Sequence, residues 1–433
     1  MTDRNDHDLD VVVVGAGLAG LTAAAVAADP ATAGGRPPRV ALLDTRVPGG
    51  RARTTTRDGF AFNEGPHALY RGGAGRGVLA RLGITPTGGQ PDVSQARGLR
   101  DGELLPLPVS PRTLATTSML GLRSKAQLGA LLARLPRIEA GALARQSVAG
   151  WLDDLDLRPD ARGLAETLLR VATYCGDLEQ LSADAGVGQL QLAVGEGVDY
   201  LDHGWQQLVD ALGRVATERG VEIRTDDRAV AIRPEGDGYV VETATSAHRA
   251  PAVVLAVGSP SATSALLPID PGWALGPDTT AACLDLGLHR PPSPRVVFGV
   301  DVPLYLSTHC PPATLAPPGQ AVVQALRYGA RTAEADAAEL WSLAAAAGIG
   351  EADVVTDRFL HRMVVAHGLP RPGDGLAGRP AVVVPDLDGV TIAGDWVGPV
   401  GMLGDASLAS AEAAGRAAAV HARHHRAAGA AVP

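Results

Sequence analysis

A continuous apolar run starts at residue 11. Residues 11–14 are four consecutive valines, and the run continues to residue 28 without a charge, interrupted by glycines at positions 15, 17 and 20. A strand with no polar position is typical of a parallel sheet that is covered on both faces. The pattern therefore predicts a buried strand at 11–14, a glycine turn, and a helix over roughly 18–28.

Similar short apolar runs recur farther along the chain. Residues 40–44, 252–257 and 389–395 each hold a run of Val, Leu, Ile or Ala that ends beside a glycine or an aspartate. Such runs are typical of further strands of one parallel sheet, and the helix after residue 20 supplies a crossover. We therefore predict an α/β protein with a Rossmann-like domain.

Two long segments between these strands have a different pattern. From residue 71 to about 186, leucines recur at helical spacing, which predicts several packed amphipathic helices. Residues 221–243 alternate in strand fashion around a Gly-Asp-Gly hairpin turn at 236–238. Beyond residue 259, short strands are mixed with an alanine-rich helix at 332–348. The two inserts predict a second, discontinuous α+β domain that binds substrate.

Composition and charge narrow the class of protein. The net charge of −9 argues against nucleic acid as the main partner, because phosphate binding needs a cationic surface. The uncharged run at 11–28 raises the question of a membrane helix or signal peptide, but aspartates precede it at positions 3, 6, 8 and 10. We therefore expect a cytoplasmic protein without a transmembrane segment.

The cysteines and histidines give no sign of a metal or disulfide site. Cys175, Cys283 and Cys310 are odd in number and widely spaced, so we expect small buried thiols and no disulfide framework. No cluster of His, Cys and carboxylate residues has the spacing of a metal site, and no G-x-S-x-G sequence follows a strand. The sequence predicts no metal and does not support a Ser-His-Asp hydrolase.

The glycine turn has the spacing of a dinucleotide-binding loop. Gly15 would allow the tight turn, Gly17 would let the backbone approach a diphosphate, and Gly20 would let the helix pack close to the strand. Asp44 follows the second strand, 24 residues after Gly20, near the spacing at which an acid meets a ribose. The alternatives are a strand-turn-helix without a ligand and, for Asp44, a cap at the end of a strand.

Four linked motifs make the chain resemble a known superfamily. They are the glycine turn, Gly49-Gly50-Arg51, the middle return strand, and the closing Ile-Ala-Gly-Asp-Trp sequence at 392–396. The chain resembles the flavin amine oxidase, protoporphyrinogen oxidase and phytoene desaturase group. The segments Gly65-Pro66-His67 with Tyr70, and residues 200–205, are more similar to the phytoene desaturase-related branch.

This resemblance implies FAD, bound in an extended form. The two predicted domains are then an FAD-binding domain of residues 8–70, 187–260 and 386–424, and a substrate domain of residues 71–186 and 261–385. The implied cofactor-binding residues are Gly15, Ala16, Gly17, Leu18, Ala19, Gly20, Asp44, Thr45, Arg46, Gly49, Gly50, Arg51, Gly65, Pro66, His67, Val230, Gly394, Asp395, Gly401, Met402 and Leu403.

Within this set, specific roles are implied for a few residues. Val230 would offer its backbone to adenine, and Asp395 would lie near the phosphates and ribityl chain. Met402 and Leu403 would present backbone amides to the pyrimidine oxygen of the flavin, where a helix N-terminus stabilises negative charge. The acid at position 44 is aspartate where the group usually has glutamate, and it is followed by a loop one residue shorter than usual.

Three residues are candidates for the chemistry. His67 could donate or accept a proton, because imidazole titrates near neutrality, or it could simply order its loop. Tyr70 could form a wall of the substrate pocket, and Trp396 could stack near flavin or substrate; for both, simple packing is the alternative. Lys125 is the only lysine and lies in the helical insert, which disfavours an amine oxidase mechanism that depends on a lysine near the flavin.

We therefore expect an FAD-dependent oxidoreductase, either an oxidase, a dehydrogenase or a desaturase. Hydride would pass from a C–C or C–N bond of a small, apolar organic substrate to the flavin, with oxygen or another acceptor reoxidising it. Two alternatives stay open: an isomerase that uses reduced flavin without net redox, and a flavin-binding protein without catalysis. The sequence is compatible with a monomer or a homodimer.

Overall fold

The computed structural model describes residues 9–33 and 36–430. Residue 8, the predicted start of the FAD-binding domain, and the aspartates at positions 3, 6 and 8 lie outside the described residues. No helix within the described ranges combines the length and the apolar character needed to cross a membrane.

A five-stranded parallel sheet carries the predicted glycine turn. Its order is β10-β2-β1-β14-β20, with strands β1 (Val11–Val14), β2 (Val40–Leu43), β10 (Glu222–Arg224), β14 (Ala252–Leu255) and β20 (Val390–Ile392). All four residues of β1 are buried, as expected for a strand covered on both faces. The sheet confirms the predicted strands and the α/β fold class.

Helices cover one face of this sheet and a small antiparallel sheet lies on the other. The helices are α1 (Leu18–Ala27), α2 (Pro30–Ala33), α9 (Gln206–Glu218) and α12 (Leu403–Ala430). The small sheet has strands β11 (Ala229–Glu235), β12 (Gly238–Thr243) and β13 (Ala247–Ala250). Helix α12 packs tightly on α1, since a Cβ atom at Gly415 would lie 2.4 Å from the Ala23 carbonyl oxygen.

A second, seven-stranded mixed sheet forms the other half of the molecule. Its order is β19-β15-β18-β17-β16-β7-β8, with β7 (Arg97–Arg100), β8 (Glu103–Pro106), β15 (Thr279–Leu288), β16 (Val296–Gly299), β17 (Leu304–Cys310), β18 (Ala321–Tyr328) and β19 (Val354–Ala366). Helix α11 (Ala333–Ala346) covers one face through Leu340 and Leu343. The prediction of a wholly helical insert at 71–186 is therefore wrong at β7 and β8, whose short, half-buried sequences lack a clear apolar alternation.

The remaining helices and short strands pack around both sheets. The helices are α3 (Ala74–Arg81), α4 (Pro111–Thr116), α5 (Leu122–Arg134), α6 (Val148–Asp154), α7 (Pro159–Thr173), α8 (Ala183–Gly195) and α10 (Pro260–Leu266). The strands are β3 (Thr54–Arg57), β4 (Phe60–Asn63), β5 (Leu69–Tyr70), β6 (Gly88–Gly89) and β9 (Val198–Leu201).

A half-buried arginine joins the second sheet to the β3–β4 hairpin. The guanidinium of Arg358 donates to the carboxylate of Asp285 at 2.6 Å, to the Thr55 hydroxyl at 2.9 Å and to the Asn63 carbonyl oxygen. Asp285 is fully buried; burial raises its pKa, and the charge of Arg358 opposes that rise. This network fixes the end of β4, immediately before the segment that contains His67.

Candidate functional site

A cavity of about 1160 Å³ lies where the carboxyl ends of the parallel strands face strand β19. The carboxyl edge of an open parallel sheet is the usual ligand position in α/β folds. The predicted cofactor residues that line the cavity are Gly15, Gly17, Leu18, Ala19, Asp44, Thr45, Arg46, Gly49, Gly50, Arg51, Gly65, Pro66, His67, Val230, Gly394, Asp395 and Leu403. Segments spread over the whole chain thus meet at one cavity.

The three glycines of the turn meet different neighbours. A Cβ atom at Gly15 would lie 2.3 Å from the Ala256 carbonyl oxygen, and one at Gly20 would lie 1.6 Å from the Gly15 carbonyl oxygen. A Cβ atom at Gly17, by contrast, would meet no atom within 4 Å. Gly15 and Gly20 are therefore required by packing, whereas Gly17 leaves open space in front of the N-terminus of α1. That space fits a diphosphate, which the free amides and the helix dipole would stabilise.

Asp44 ties the two loops beside this space together. Its Oδ2 accepts a hydrogen bond from the Ala16 amide at 2.6 Å, and its Oδ1 accepts from the Arg46 amide at 3.0 Å. The Gly49 amide donates to the Ala16 carbonyl oxygen at 2.8 Å. The aspartate therefore orders the glycine turn in addition to any contact with a ribose, and the predicted alternative of a cap at a strand end describes part of its role.

A second acidic residue lies next to Asp44. The Asp227 amide donates to the Asp44 carbonyl oxygen at 2.9 Å, and the Asp227 carboxylate is 2.8 Å from Nε2 of His248. Asp227 and Val230 both line the cavity. Val230 lies on strand β11 at the cavity edge, with 48% of its surface exposed, at an irregularity where it has no partner residue on β12.

Arg51 and Asp395 face each other across the middle of the cavity. The two guanidinium nitrogens donate to the two carboxylate oxygens at 2.9 and 2.8 Å, and the His367 amide donates to Asp395 at 3.0 Å. Although burial lowers the pKa of Arg51, the charge and hydrogen bonds of Asp395 raise it overall. A fixed cation therefore stands beside the glycine turn, as an anionic diphosphate requires.

His67 lies in a short loop that packs against β19. Its Nδ1 is 2.8 Å from the Gly65 carbonyl oxygen, which can only accept, so Nδ1 carries the proton and Nε2 keeps a lone pair. Burial lowers the pKa of His67 from 6.5 to about 4; the hydrogen bonds to the backbone of Gly65 and Arg51 oppose this shift, and the charge of Arg51 adds to it. The expectation that this imidazole titrates near neutrality is therefore wrong, because desolvation disfavours its cation.

The loop is held in place by tight contacts on two sides. A Cβ atom at Gly65 would lie 2.7 Å from the sulfur of Met363, and the His67 ring lies 4.9 Å from the ring of Trp205. Trp205 in turn lies so close to the start of α12 that a Cβ atom at Gly404 would be 2.7 Å from its ring. Met363, Trp205 and Gly404 were not predicted as site residues, and all three line the cavity.

One part of the cavity, which we call the apolar wing, is lined by Tyr70, Tyr174, Leu326, Leu360 and Met363. The Tyr70 hydroxyl donates to the Ala172 carbonyl oxygen at 2.6 Å, and burial raises its pKa. Tyr70 is thus a cavity wall, as predicted, whose hydroxyl is occupied within the protein. The other four residues of the wing come from α7, β18 and β19, and only the fold brings these distant segments together.

Several predicted residues lie away from the cavity. Trp396 is fully buried, its indole N–H donates to the Gly258 carbonyl oxygen at 2.8 Å, and its ring lies 4.8 Å from that of Trp273. The prediction that Trp396 stacks near flavin or substrate is therefore not met, and packing explains the residue. Strand β20 is covered on both faces, so a large side chain directly after it fills the core.

At the start of α12, two residues predicted to bind the cofactor, Gly401 and Met402, lie outside the cavity lining. The Met402 side chain is buried among apolar residues, and the Gly401 carbonyl oxygen accepts a hydrogen bond from Arg379 at 2.8 Å. Neither Gly401 nor Met402 lines the cavity, whereas Leu403, Gly404 and Ser407 do. Ala16 and Gly20 also lie behind the lining, and their contribution is to the shape of the turn. Burial lowers the pKa of Arg379 to about 10, so this side chain remains a cation behind Asp395.

The lysine and the cysteines lie outside the site. The Lys125 ammonium donates to the Ala115 carbonyl oxygen at 2.8 Å at an exposed position of α5. All three cysteines are free and buried, as predicted. Within residues 9–33 and 36–430, no group of three or more His, Cys, Asp or Glu side chains has an arrangement that could hold a metal ion.

Comparisons with known proteins agree with this geometry. The family model for flavin containing amine oxidoreductases matches residues 18–307, more than half of the chain. A search of curated protein sequences gave no significant match.

Solved structures share the fold over almost the full length. An oxidoreductase from Methanosarcina mazei has 17% identity and a TM-score of 0.73, with 94% of this chain and 99% of that chain covered. A candidate protoporphyrinogen oxidase from Exiguobacterium sp. 255-15 has 19% identity and a TM-score of 0.71, with 95% and 99% covered. Cyclohexylamine oxidase from Brevibacterium oxydans IH-35A has 17% identity and a TM-score of 0.66, with 97% and 100% covered. The chain therefore belongs to the flavin containing amine oxidoreductase family and is an FAD-dependent oxidoreductase.

Proposed function

We propose that the protein oxidises a small, apolar organic substrate by transfer of hydride from a C–C or C–N bond to FAD. The observation that carries this proposal is the continuity of the cavity, which joins the space in front of Gly17 to the apolar wing. A cofactor held at its diphosphate by the first region would reach toward a substrate in the second. Bound FAD supplies the hydride acceptor, and the protein supplies orientation and electrostatics.

We infer the following roles for the residues of this chain. The amides after Gly17 and the cation of Arg51 bind the diphosphate, and Asp44 with Asp227 accepts hydrogen bonds from the ribose hydroxyls. Gly394 and Asp395 position Arg51 and the ribityl chain. The N-terminus of α12, at Leu403 and Gly404, supports negative charge on the ring system.

His67 and Tyr70 would act where the cofactor meets the substrate. The neutral imidazole can accept at Nε2 the proton that the substrate loses beside the hydride, from the adjacent C–H of a C–C bond or the N–H of a C–N bond, while its Nδ1 stays bonded to the Gly65 carbonyl oxygen. Tyr70, bonded to the end of α7, supports the wing. The apolar side chains of the wing exclude water, which would strengthen electrostatic interactions near the reacting bond.

The choice between C–C and C–N bonds, and the phytoene desaturase-related branch, belong to this proposal. The family description and the cyclohexylamine oxidase neighbour favour amines. Lys125 lies on helix α5 outside the cavity, which argues against a lysine-dependent amine oxidase. The apolar wing favours oxidation of a C–C bond. We also propose the two-domain division predicted above, with the cavity between the halves.

An anaerobic substrate screen tests the proposal. The FAD-loaded protein is mixed with cyclic alkanes, alkenes, ketones and amines, and bleaching of the visible flavin band is followed. Bleaching by an apolar compound, reversed by air or by a dye, supports an oxidoreductase of this substrate class. Conversion only by the pre-reduced protein, without net reoxidation, would replace it with the isomerase, and binding of compounds without any conversion would replace it with a non-catalytic flavoprotein.

A further inference from the structure

We propose that Tyr174 is the hydrogen-bond donor that orients the substrate, and that the substrate is an uncharged apolar compound carrying one acceptor, such as a carbonyl oxygen. This inference rests on the proposed function and narrows its substrate class. Four observations support it: the backbone conformation of Tyr174, its ring contact, its hydroxyl without a hydrogen bond to a described residue, and the partners that the carboxylates of the cavity lining already have.

The backbone holds Tyr174 in an unusual conformation at the end of α7. Its φ of 54° and ψ of 21° are left-handed, a conformation in which a helix end usually has glycine. The conformation is unfavourable for a residue with a Cβ atom, because that atom comes close to the following carbonyl oxygen. The turn is secured by the Tyr70 hydroxyl on the Ala172 carbonyl oxygen and by the Cys175 amide on the Thr173 hydroxyl at 3.3 Å. A strained residue kept at a cavity wall points to a role for its side chain.

The ring of Tyr174 is fixed as well. Its centroid lies 6.2 Å from that of Tyr328, with 71° between the ring planes, and only 6% of the residue is exposed. An edge-to-face contact of this kind restricts the ring to one orientation. The hydroxyl therefore reaches a defined position in the apolar wing, instead of sampling several.

The hydroxyl of Tyr174 makes no hydrogen bond to any residue within the described ranges. Tyr70 donates to Ala172, and the hydroxyls of Tyr200 and Tyr305 lie 3.3 Å apart. The hydroxyl of Tyr328 also has no hydrogen bond to a described residue, but Tyr328 does not line the cavity. Burial raises the pKa of Tyr174 well above its usual value, so the group stays protonated and remains a donor. An acceptor on a ligand in the wing would form the hydrogen bond that no described residue offers this donor.

The charges that line the cavity argue for an uncharged substrate. Each lining carboxylate already has a partner, and these partners are the Ala16 amide for Asp44, Arg358 for Glu64, His248 for Asp227 and Arg51 for Asp395. A substrate ammonium group in the wing would have to be desolvated without a free carboxylate. A neutral acceptor opposite Tyr174 carries no such penalty.

A matched series of ligands on one ring system tests the proposal in the FAD-loaded protein. The probes are 1-tetralone, tetralin and 1-aminotetralin, which present a neutral acceptor, no polar group and an ammonium on the same bicyclic frame. Binding is measured from the perturbation of the flavin absorbance spectrum, and FAD occupancy is measured in parallel. The variants are Tyr174→Phe and, as a matched control, Tyr328→Phe, whose hydroxyl does not reach the cavity lining.

We expect wild type to bind 1-tetralone about 5- to 10-fold more tightly than tetralin, the effect of one hydrogen bond. Tyr174→Phe should remove this preference at unchanged FAD occupancy, and Tyr328→Phe should keep it. A preference that survives in Tyr174→Phe, tightest binding of 1-aminotetralin, or no binding of any of the three would each overturn the proposal. A different result would contradict the proposed function alone: the expected binding preference is observed, but no organic compound reduces the flavin.

Discussion

Arg51 and Asp395 are 344 residues apart in the chain and form a two-point ion pair at 2.9 and 2.8 Å. The Asp395 side chain is almost completely buried, whereas 41% of the Arg51 side chain is exposed toward the cavity. Asp395 thus serves as the fixed half of the pair and Arg51 as the half available to a ligand. The pair connects the Gly-Gly-Arg loop to the last strand of the parallel sheet, so the two ends of the chain build one anion site.

The Asp395→Ala substitution tests this arrangement. It leaves Arg51 without its partner and should weaken FAD binding about tenfold or more, or about 1.4 kcal/mol. His67→Ala, which changes a side chain that does not hold the diphosphate, should weaken FAD binding less. Flavin occupancy after gel filtration compares the two variants, and equal retention in both would contradict the role of the pair.

The two glycines of the turn offer a test that separates folding from binding. Gly17 has a φ of −76°, which alanine adopts freely, and open space where a Cβ atom would be. Gly17→Ala should therefore leave the Tm of the FAD-free protein almost unchanged and lower the FAD affinity about tenfold or more. Gly20→Ala, whose Cβ would lie 1.6 Å from the Gly15 carbonyl oxygen, should instead destabilise the FAD-free protein itself. Normal FAD affinity in Gly17→Ala would show that the diphosphate lies elsewhere.

The buried imidazole of His67 makes stability depend on pH in a defined direction. Its pKa is about 4 in the folded protein and 6.5 when unperturbed, so between these values the unfolded chain binds a proton that the folded protein does not. The free energy of unfolding is therefore unaffected above about pH 6.5 and falls as the pH is lowered toward 4, by about 3 kcal/mol.

Denaturant unfolding of the FAD-free protein at a series of pH values measures this dependence. His309, with its pKa lowered to about 3 by burial, acts in the same direction. The His67→Gln variant should therefore lose less stability than wild type between pH 6.5 and 4, while retaining part of the slope. Parallel curves for wild type and variant would show that His67 is not desolvated in the folded state.

The chemical role of His67 requires a kinetic measurement. If Nε2 accepts a proton during substrate oxidation, His67→Ala should lower the rate of flavin reduction at saturating substrate by about 10²-fold or more, at unchanged FAD occupancy. In wild type, the rate of flavin reduction should fall only as the pH approaches about 4, where the imidazole becomes charged. Anaerobic rapid mixing gives both values, and an unchanged rate in the variant would leave His67 with a structural role only.

The parallel sheet and the cofactor loops could be predicted because their signals are local. A run of valines before a glycine turn indicates a strand that is buried on both faces and followed by a helix. Each cofactor loop directly follows its strand in the sequence. The proximity of Asp395 to Arg51 could be expected from the resemblance, because the resemblance assigns both motifs to one ligand. These features do not depend on how the inserts pack.

The rest of the site could not be predicted because it depends on packing between distant segments. Trp396 is adjacent to Asp395 in sequence, but core packing in the turn after β20 directs its ring toward Trp273 and away from the cavity. Tyr174 lies at the end of an ordinary amphipathic helix, and its importance comes from a left-handed backbone and a free hydroxyl. The pKa of His67 follows from the burial of its loop against β19, which no local pattern reports.

Anaerobic titration of the FAD-loaded protein with neutral and cationic cyclic compounds, followed by visible absorbance, tests the proposed reaction and substrate class together. We expect at least one uncharged apolar compound to bleach the flavin band, and air or an added acceptor to restore it. Bleaching should be slower in Tyr174→Phe at equal FAD occupancy. Bleaching by amines alone, with wild type and Tyr174→Phe equally fast, would contradict this expectation.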